Sequence, residues 1–373
     1  MAHAVPLVRE PLEMTVLIVG GGVAGAAAAC LLGADATLIE RTAGAHDKIC
    51  GEFVSWEAQD ALQRLGVDTS ALGASPIHSV RLRHGTQSAT ASLPRPGAGL
   101  SRRVLDEALL ARATRCGATV LRGRTVRRLV AGGAEVAGLG RVDAARVLLA
   151  TGKHDLRDSG RPSQRGPHAL VGLKMYYRLA PKQVAELDGH VEVVLFPGGY
   201  AGLQMVEDGR ANLCLLIRRD TFQAVGTSWD GVIAHLHTYS PALTARLDGA
   251  APLLARPVAI SGVPYGFVHR PGPADAPGVL RLGDQAGVIP SFSGDGMAIA
   301  LHTAFAAAGQ ADATQHHRRM RADLSGQIGR AMVLHRLGLA VPGSLVRAAR
   351  AWPGALALVA RLTRVPARRL AWT

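Results

Sequence analysis

The sequence predicts an α/β fold in which a parallel sheet with two glycine-rich strand-to-helix turns is interrupted by a second, mixed β-sheet. One turn follows a β-branched run near the N-terminus, and the other follows a similar run near residue 280. Between them, residues 166–260 contain alternating apolar and polar stretches that are typical of strands. A chain of 373 residues is long enough for two or three such domains.

The first turn lies directly after the strand predicted at residues 16–19. It has the pattern G-x-G-x-x-G, formed by Gly20, Gly22 and Gly25, and helix formers follow it up to Leu32. The first glycine allows a tight turn, the second lets the backbone approach a pyrophosphate, and the third lets the helix pack closely on the strand. The helix N-terminus then faces the phosphate groups.

A carboxylate follows at the spacing expected of a dinucleotide site. The strand predicted at residues 36–39 ends in Glu40, which can accept hydrogen bonds from both hydroxyls of an adenosine ribose. The pattern therefore predicts a dinucleotide site, with NAD and FAD both open at this point. A membrane span over residues 15–34 and an ordinary turn in the core are the weaker alternatives.

The second turn distinguishes between the two dinucleotides. The strand predicted at residues 279–282 ends in Gly283-Asp284, and a further glycine cluster at residues 293–297 opens an alanine-rich helix. Asp284 is suited to hold a ribityl hydroxyl, and the amides of residues 294–297 are suited to face the pyrimidine edge of a flavin. The two turns together predict FAD.

Six motifs in this order resemble the geranylgeranyl-reductase-like family of FAD-dependent oxidoreductases, which belongs to the flavoproteins with the p-hydroxybenzoate hydroxylase fold. They are the first glycine turn, KICGE at 48–52, SRRVLD at 101–106, VLLATG at 147–152, GDQAG at 283–287 and SGDGM at 293–297. The resemblance covers about residues 15–310. It implies a three-layer, Rossmann-like FAD-binding domain with an inserted mixed β-sheet substrate domain and C-terminal helices.

The resemblance also implies FAD bound in an extended conformation. Arg102 is expected to reach its phosphate or ribityl region, with Arg103 as the alternative register. NAD(P)H is the expected transient reductant, because no second G-x-G-x-x-G follows in the middle of the chain. The other residues expected to bind the cofactor are Gly20, Gly22, Val23, Ala24, Gly25, Glu40, Arg41, Lys48, Cys50, Gly51, Val126, Ala150, Gly152, Gly283, Asp284, Gly287, Pro290, Gly294, Gly296 and Met297.

The predicted domains are discontinuous in sequence. The FAD-binding domain is assigned residues 1–76, 101–160 and 278–315, the substrate domain residues 77–100 and 161–277, and a basic C-terminal helical extension residues 316–373.

Two reactions fit such a flavoprotein, namely NAD(P)H-dependent monooxygenation of a lipophilic or polyketide-like small molecule and reduction of a C=C bond. Monooxygenation is slightly favoured, because the loop at residues 196–203 lacks the tryptophan of the Trp-x-Phe-Pro element found in isoprenoid reductases of this family. Halogenation is not expected, because no Trp-x-Trp-x-Ile-Pro segment is present. A flavin-binding sensor or scaffold without enzymatic activity is the alternative from another class.

Four side chains are candidates for the chemistry. Cys50, Glu52 and Asp295 are candidate proton donors for C=C reduction, and Tyr200 is a candidate for orienting a substrate oxygen in either reaction. Each has a structural alternative. Cys50 can be a small packed residue, and Glu52 can cap a helix that begins near Ser55.

The net charge of +14 is concentrated in the C-terminal extension, which contains eleven Arg and one acid, Asp323. Apolar residues and the tryptophans Trp352 and Trp372 alternate with these arginines. The composition is compatible with a helical cap on the flavin domain, or with a segment that docks on a membrane surface or an acyl-carrier protein. Nucleic acid is not an expected partner, because no known binding module accompanies the charge.

The remaining composition argues against metals and secretion. The four cysteines have no C-x-x-C spacing, and His154, His316 and His317 have no third ligand at a suitable spacing, so no metal is expected. Residues 1–13 carry no secretory signal. We therefore expect a cytoplasmic protein, with peripheral association at the inner membrane face as the alternative.

Overall fold

The computed structural model describes residues 12–372, except 158, 274, 353, 355–357, 359–360 and 367–368. The first eleven residues of the predicted FAD-binding domain and part of the predicted extension therefore lie outside the described residues.

The described strands form two separate sheets. In chain order they are β1 (Leu12–Val19), β2 (Ala36–Glu40), β3 (Phe53–Val54), β4 (Ser75–His84), β5 (Gln87–Gly99), β6 (Thr119–Arg122), β7 (Val126–Val130), β8 (Gly133–Val136), β9 (Gly140–Leu149), β10 (Leu170–Arg178), β11 (Gly189–Phe196), β12 (Gly199–Met205), β13 (Ala211–Arg218), β14 (Ala251–Pro252), β15 (Val258–Ser261) and β16 (Val279–Arg281).

The described α-helices lie mostly between these strands and at the C-terminal end. They are α1 (Val23–Leu32), α2 (Trp56–Arg64), α3 (Arg102–Arg115), α4 (Pro181–Leu187), α5 (Arg219–Ala224), α6 (Trp229–Tyr239), α7 (Pro241–Leu247), α8 (Gly296–Ala308), α9 (Ala313–Ala340) and α10 (Pro342–Ala351).

The first sheet has the strand order β6-β2-β1-β9-β8-β7, with β16 paired to β9. The pairs β6–β2, β2–β1, β1–β9 and β9–β16 are parallel, whereas β8 and β7 are antiparallel additions. Alternate residues of β1 point to opposite faces, so Val16 and Ile18 pack with α1, α3 and α8, while Leu17 and Val19 pack with β7–β9. This is the expected three-layer α/β arrangement.

The second sheet has the strand order β14-β10-β13-β12-β11-β4-β5-β3, with β15 paired to β10. It is mixed, because β11 and β4 are parallel while the other pairs are antiparallel. Buried residues of α6 and α7 pack on one face. The other face packs against α9, α10 and the segment around residues 263–292.

Residues 15–34 do not form a membrane span. They contain most of β1, the glycine turn and the ten-residue helix α1, whose residues from Val23 to Cys30 are buried. In the part of the chain that the structure describes, none of the helices is both long enough and apolar enough to cross a membrane.

The C-terminal extension begins with two helices and returns to the first domain. The helices are α9 and α10, and the chain after them packs on α8. The indole of Trp372 lies 5.6 Å from the ring of Phe305, measured between centroids. The backbone N–H of Ala371 donates to Nδ1 of His302 at 3.1 Å. The end of the chain is therefore part of the folded core.

Candidate cofactor and substrate site

The first glycine turn has the geometry that close helix packing requires. Gly20 has φ +106°, and a methyl group added there would lie 2.6 Å from the carbonyl oxygen of Ala150. A methyl group at Gly25 would overlap the carbonyl oxygen of Gly20. Gly25 therefore lets α1 pack closely on β1, and its expected contact with the cofactor stays a prediction.

Two cations lie beside the N-terminus of α1. A methyl group added at Gly22 would be 3.2 Å from an Nη of Arg102 and 3.8 Å from Nζ of Lys48. Both cations donate to Asp106, at 2.8 and 2.9 Å from Arg102 and at 2.7 Å from Lys48. Burial opposes ionisation of Asp106, but these two cations hold the pKa of Asp106 below its usual range.

The positive charges of Lys48 and Arg102, together with the partial positive charge of the helix N-terminus, exceed the single negative charge of Asp106. This position is therefore suited to a diphosphate. Arg102 lines the cavity beside the turn. The alternative, Arg103, is exposed and donates to the carbonyl oxygen of Ala45. The geometry therefore favours the first of the two registers.

A cavity of about 870 Å³ extends from the glycine turn along the ends of β2 and β9. Its volume is within the range of about 300–1,000 Å³ that is common for cofactor sites. The predicted cofactor-binding residues that line it are Gly20, Gly22, Glu40, Arg41, Lys48, Arg102, Val126, Ala150, Gly152 and Asp284.

Glu40 is the last residue of β2, and its ionised carboxylate lines this cavity. Its carboxylate accepts hydrogen bonds from the backbone N–H of Gly21 at 2.7 Å and of Thr42 at 2.9 Å. Burial disfavours the charge, but these two donors keep the pKa of Glu40 below its usual value. The carboxylate is thus positioned and charged as a ribose-binding acid must be.

A second cavity, of about 130 Å³, continues from the first between the two glycine turns. Three of its lining glycines, Gly51, Gly152 and Gly296, have no protein atom within 4 Å of the place where a side chain would begin. These positions therefore leave open space of the kind a bound ring system needs. The other predicted cofactor-binding residues on its wall are Gly22, Val23, Ala24, Cys50, Arg102, Ala150, Gly283, Asp284, Gly294 and Met297.

Lys153 is a residue of this cavity that the sequence did not indicate. Its Nζ lies 3.4 Å from a carboxylate oxygen of Asp284. Burial favours the neutral amine, but Asp284 raises the pKa of Lys153 above its usual value, so the ammonium is retained. A cation therefore stands beside the carboxylate that is expected to hold the ribityl chain.

A third cavity, of about 200 Å³, lies between the second sheet and helices α9 and α10. It is lined mostly by apolar side chains, among them Val80, Leu82, Val193, Leu195, Leu216, Phe292, Leu334 and Leu345. It shares the wall residues Cys50, Gly51, Phe53, Ser291 and Gly294 with the second cavity. A flavin ring in the second cavity would therefore face an apolar substrate chamber.

Two of the four chemical candidates line this chamber. Cys50 lies on the wall common to both cavities. Tyr200 lines the chamber, and its hydroxyl oxygen accepts a hydrogen bond from the backbone N–H of Phe292 at 3.1 Å. Burial raises the pKa of Tyr200 well above its usual value, so its hydroxyl stays protonated near pH 7 and is able to donate a hydrogen bond.

Glu52 occupies a different environment. It has φ +62° and a fully buried carboxylate, which accepts hydrogen bonds from Nζ of Lys174 at 2.5 Å, the hydroxyl of Tyr176 at 2.7 Å and the backbone N–H of Arg102 at 2.8 Å. Ser55, not Glu52, caps α2. Glu52 lines the flavin cavity but not the substrate chamber, so its position does not suit proton donation to a substrate.

Four predicted site residues lie outside all three cavities, namely Gly25, described above, and Asp295, Gly287 and Pro290. The buried carboxyl of Asp295 accepts from Gln327 at 2.5 Å and from Arg364 at 3.3 Å, so its position does not favour the role of proton donor, which stays a prediction. Gly287 packs against Ile328, where a methyl group would lie only 2.9 Å away. Pro290 leads into a short 3₁₀ turn. Gly287 and Pro290 therefore shape the second turn without facing the cavities.

His335 is the second residue of the site that the sequence did not indicate. It lies on α9, lines the substrate chamber and stacks on Phe292 with a centroid distance of 6.2 Å. Burial lowers the pKa of His335 to about 4, so its imidazole is neutral near pH 7. Its helical neighbours give no local motif, and only the packing of α9 on the second sheet identifies it.

One cluster outside the site has metal-ligating side chains. His269, Asp275 and His317 approach one another, with His269 Nε2 at 3.1 Å from Asp275. Nε2 of His317 accepts a hydrogen bond from the backbone N–H of Arg281, so the neutral ring must carry its proton on Nδ1, the atom that faces Asp275. These hydrogen bonds account for the cluster, and the expectation of no metal stays a prediction.

Comparison with known proteins agrees with the geometry. The family model of the FAD binding domain matches residues 13–146. Comparison with curated proteins gives no significant sequence match.

Several solved structures share the fold over most of the chain. The flavin-dependent brominase Bmp2 is 18% identical with a TM-score of 0.77, and the match covers 94% of this chain and 93% of Bmp2. PqsL, a probable FAD-dependent monooxygenase from Pseudomonas aeruginosa, is 17% identical with a TM-score of 0.71, and the match covers 90% of this chain and 98% of PqsL.

A geranylgeranyl bacteriochlorophyll reductase-like protein from Thermoplasma acidophilum is also similar. It is 17% identical with a TM-score of 0.71, and the match covers 97% of this chain and 95% of that protein. At these identities the likeness shows the fold. Together with the FAD-binding domain matched at residues 13–146, it shows that the chain has the fold of the flavoproteins of the p-hydroxybenzoate hydroxylase type.

Proposed function

We propose that the protein is an FAD-dependent monooxygenase that uses NAD(P)H and acts on a lipophilic small molecule. The observation that carries the proposal is the wall shared by the flavin cavity and the apolar chamber. FAD supplies electron transfer and oxygen activation when it is bound. The protein's own residues then have three tasks, which are to hold the cofactor, orient the substrate and exclude water.

The residues fit these tasks. Lys48, Arg102 and the N-terminus of α1 would hold the diphosphate, and Asp284 with Lys153 would hold the ribityl chain. Tyr200 would donate a hydrogen bond to a substrate oxygen. The apolar side chains around the chamber keep water from the reacting atoms, and water exclusion limits unproductive side reactions.

Reduction of a C=C bond is the second candidate, and the position of Cys50 favours it. A hydride from a flavin would reach one carbon, and an acid must deliver a proton to the other. Cys50 is the side chain with an ionisable proton that lines both cavities. The carboxyls of Glu52 and Asp295 lie outside the substrate chamber, which weakens this candidate relative to monooxygenation.

The deciding experiment is mass analysis of products formed from NAD(P)H and host lipid or polyketide extracts under ¹⁸O₂. Monooxygenation predicts one ¹⁸O atom in the product and substrate-stimulated oxygen consumption. A product that gains two hydrogens without oxygen would support the reductase, and Cys50→Ala should then abolish it. Halide-dependent halogenation of the substrate would contradict both. A bound flavin that neither nicotinamide reduces would support the non-enzymatic alternative.

A further inference from the structure

We propose that the protein docks on an anionic membrane through one surface of its C-terminal helices. The surface is defined by Arg330, Val333, Arg336, Leu337 and Val341, and we call it the outer face of α9. This inference rests on the proposed function for its substrate, because it assigns the lipid bilayer as the source of the lipophilic molecule.

The apolar part of the outer face is unusually exposed. Val333, Leu337 and Val341 have 58%, 45% and 46% of their surface accessible. The spacing of four residues places Val333 and Leu337 on one side of the helix, and Val341 follows directly after its last residue. Six of the eight large hydrophobic side chains that are exposed in the described residues lie between residues 333 and 362. A concentration of this kind marks an interaction site rather than scattered surface residues.

The end of the chain joins this surface. Nε of Arg330 donates to the carbonyl oxygen of Leu362 at 2.7 Å, which holds the exposed Leu362 beside the last turns of α9. Trp352, the residue after α10, is 60% exposed. A Trp with an apolar body and an N–H group is well suited to the boundary between lipid headgroups and acyl chains.

The positive charge of the surface favours an anionic partner. The chain has no Asp or Glu after Asp323. The arginines Arg330, Arg336, Arg347, Arg350 and Arg361 are exposed, and none of them takes part in an ion pair among the described residues. Positive side chains that border exposed apolar ones match a bilayer with anionic headgroups.

The same helix connects the surface to the substrate chamber. Leu334, His335 and Gly338 line the chamber, whereas Val333 and Leu337 face outward. The chamber and the outer face are thus separated by the width of one helix, about 10 Å. A substrate taken from the bilayer would therefore travel a short distance to reach the apolar chamber.

Co-sedimentation of the FAD-loaded protein with vesicles tests the proposal. We expect binding to vesicles of phosphatidylcholine and phosphatidylglycerol in a three-to-one ratio, weak binding to phosphatidylcholine alone, and release at high salt. The double variant V333E/L337E should lower the partition coefficient more than tenfold. The matched control is L253E, because Leu253 is similarly exposed at 39% but lies in the second domain, and it should bind as the unaltered protein does.

The charge contribution has its own variants. Arg336→Gln and Arg347→Gln should each lower the partition coefficient about fivefold at low salt. The proposal would be overturned if the protein did not bind anionic vesicles at low salt, or if it bound neutral vesicles equally well. A loss of binding in L253E as large as in V333E/L337E would also overturn it. So would binding to an acyl-carrier protein without binding to vesicles. The flavin spectrum and NAD(P)H oxidation, measured on the same samples without vesicles, show separately whether the proposed function holds.

Discussion

Lysine is scarce in this chain, and three of its four lysines lie at the candidate site. Lys48 borders the first glycine turn, Lys153 pairs with Asp284, and Lys174 pairs with the buried Glu52. The other 38 of the 42 basic residues are Arg. Lysine offers a compact charge with three donors, which suits narrow sites between carboxylates.

Arg102 provides the most direct test of the diphosphate position. Arg102→Ala should weaken FAD binding roughly 10- to 100-fold, because it removes a charge-assisted hydrogen bond worth about 1.5–3 kcal/mol. Fluorescence titration of the protein without cofactor measures the dissociation constant. Arg103→Ala is the matched control and should change affinity less than about twofold. Equal losses in both variants would contradict the assignment.

Asp295 gives the folded protein a specific pH dependence. Burial raises the pKa of Asp295 to about 7, against the opposing effect of Arg364. A carboxyl with a raised pKa in the folded state binds its proton more tightly there, so its stabilising effect is greatest at low pH and is lost as the pH rises. In the unaltered protein, ionisation of Asp295 should therefore lower the free energy of unfolding by up to about 4 kcal/mol between about pH 4 and pH 7. The Asp295→Asn variant should lack this part of the decrease.

Denaturant titrations at several pH values measure this effect. The difference between the two proteins should grow steadily across the interval. Parallel stability profiles for the Asp295→Asn variant and the unaltered protein would show that the carboxyl has a normal pKa in the fold.

Among the elements, those with a strong local pattern were predictable. The strand and helix on either side of the first turn match β1 and α1, and the alternating stretches predicted within residues 166–260 include β11 and β13. The inward face of α9 was not predictable, because His335 and Leu334 have no ligand-binding pattern around them. Their role depends on which sheet the helix packs against, and that is set by contacts far apart in sequence.

The join between β1 and α1 can be tested by a single methyl group. Gly25→Ala would place the methyl against the carbonyl oxygen of Gly20, and the backbone there cannot move without disturbing β9. We expect a loss of about 3 kcal/mol or more in unfolding free energy, measured with denaturant. Gly309→Ala at the end of α8 is the control, since no protein atom lies within 4 Å of its added methyl. A neutral Gly25→Ala would contradict the close packing.

At the scale of the whole molecule, the C-terminal chain returns to the flavin domain beside the substrate chamber. Arg364 lines the substrate chamber, donates to Glu57 at 3.0 Å, and stacks on Trp56 with 3.9 Å between the guanidinium and the ring. The sequence indicated a basic extension but not this contact, because residues 57 and 364 are related by no local periodicity. Only the complete fold brings them together.

Removal of this cation should be costly. Arg364→Leu would remove the cation that pairs with the buried Asp295 and the partly buried Glu57, and a broken buried ion pair costs about 3–5 kcal/mol. Chemical denaturation at pH 8, where Asp295 is ionised, measures the loss. Arg361→Leu replaces an exposed arginine nearby and should change stability by less than about 0.5 kcal/mol. If Arg364→Leu lost no more stability than Arg361→Leu, water would have to replace Arg364 as the partner of Glu57 and Asp295.

The pairing of β16 with β9 also determines when the cofactor site can exist during synthesis. β9 ends at Leu149 and pairs with β1 early, but its second parallel partner, β16, begins at Val279, after the whole second sheet has been made. Ribosomes add about 5–20 residues per second, so the edge of β9 waits on the order of ten seconds for that partner. During this interval the nascent chain has the first glycine turn without the second, and FAD can be held at one end only.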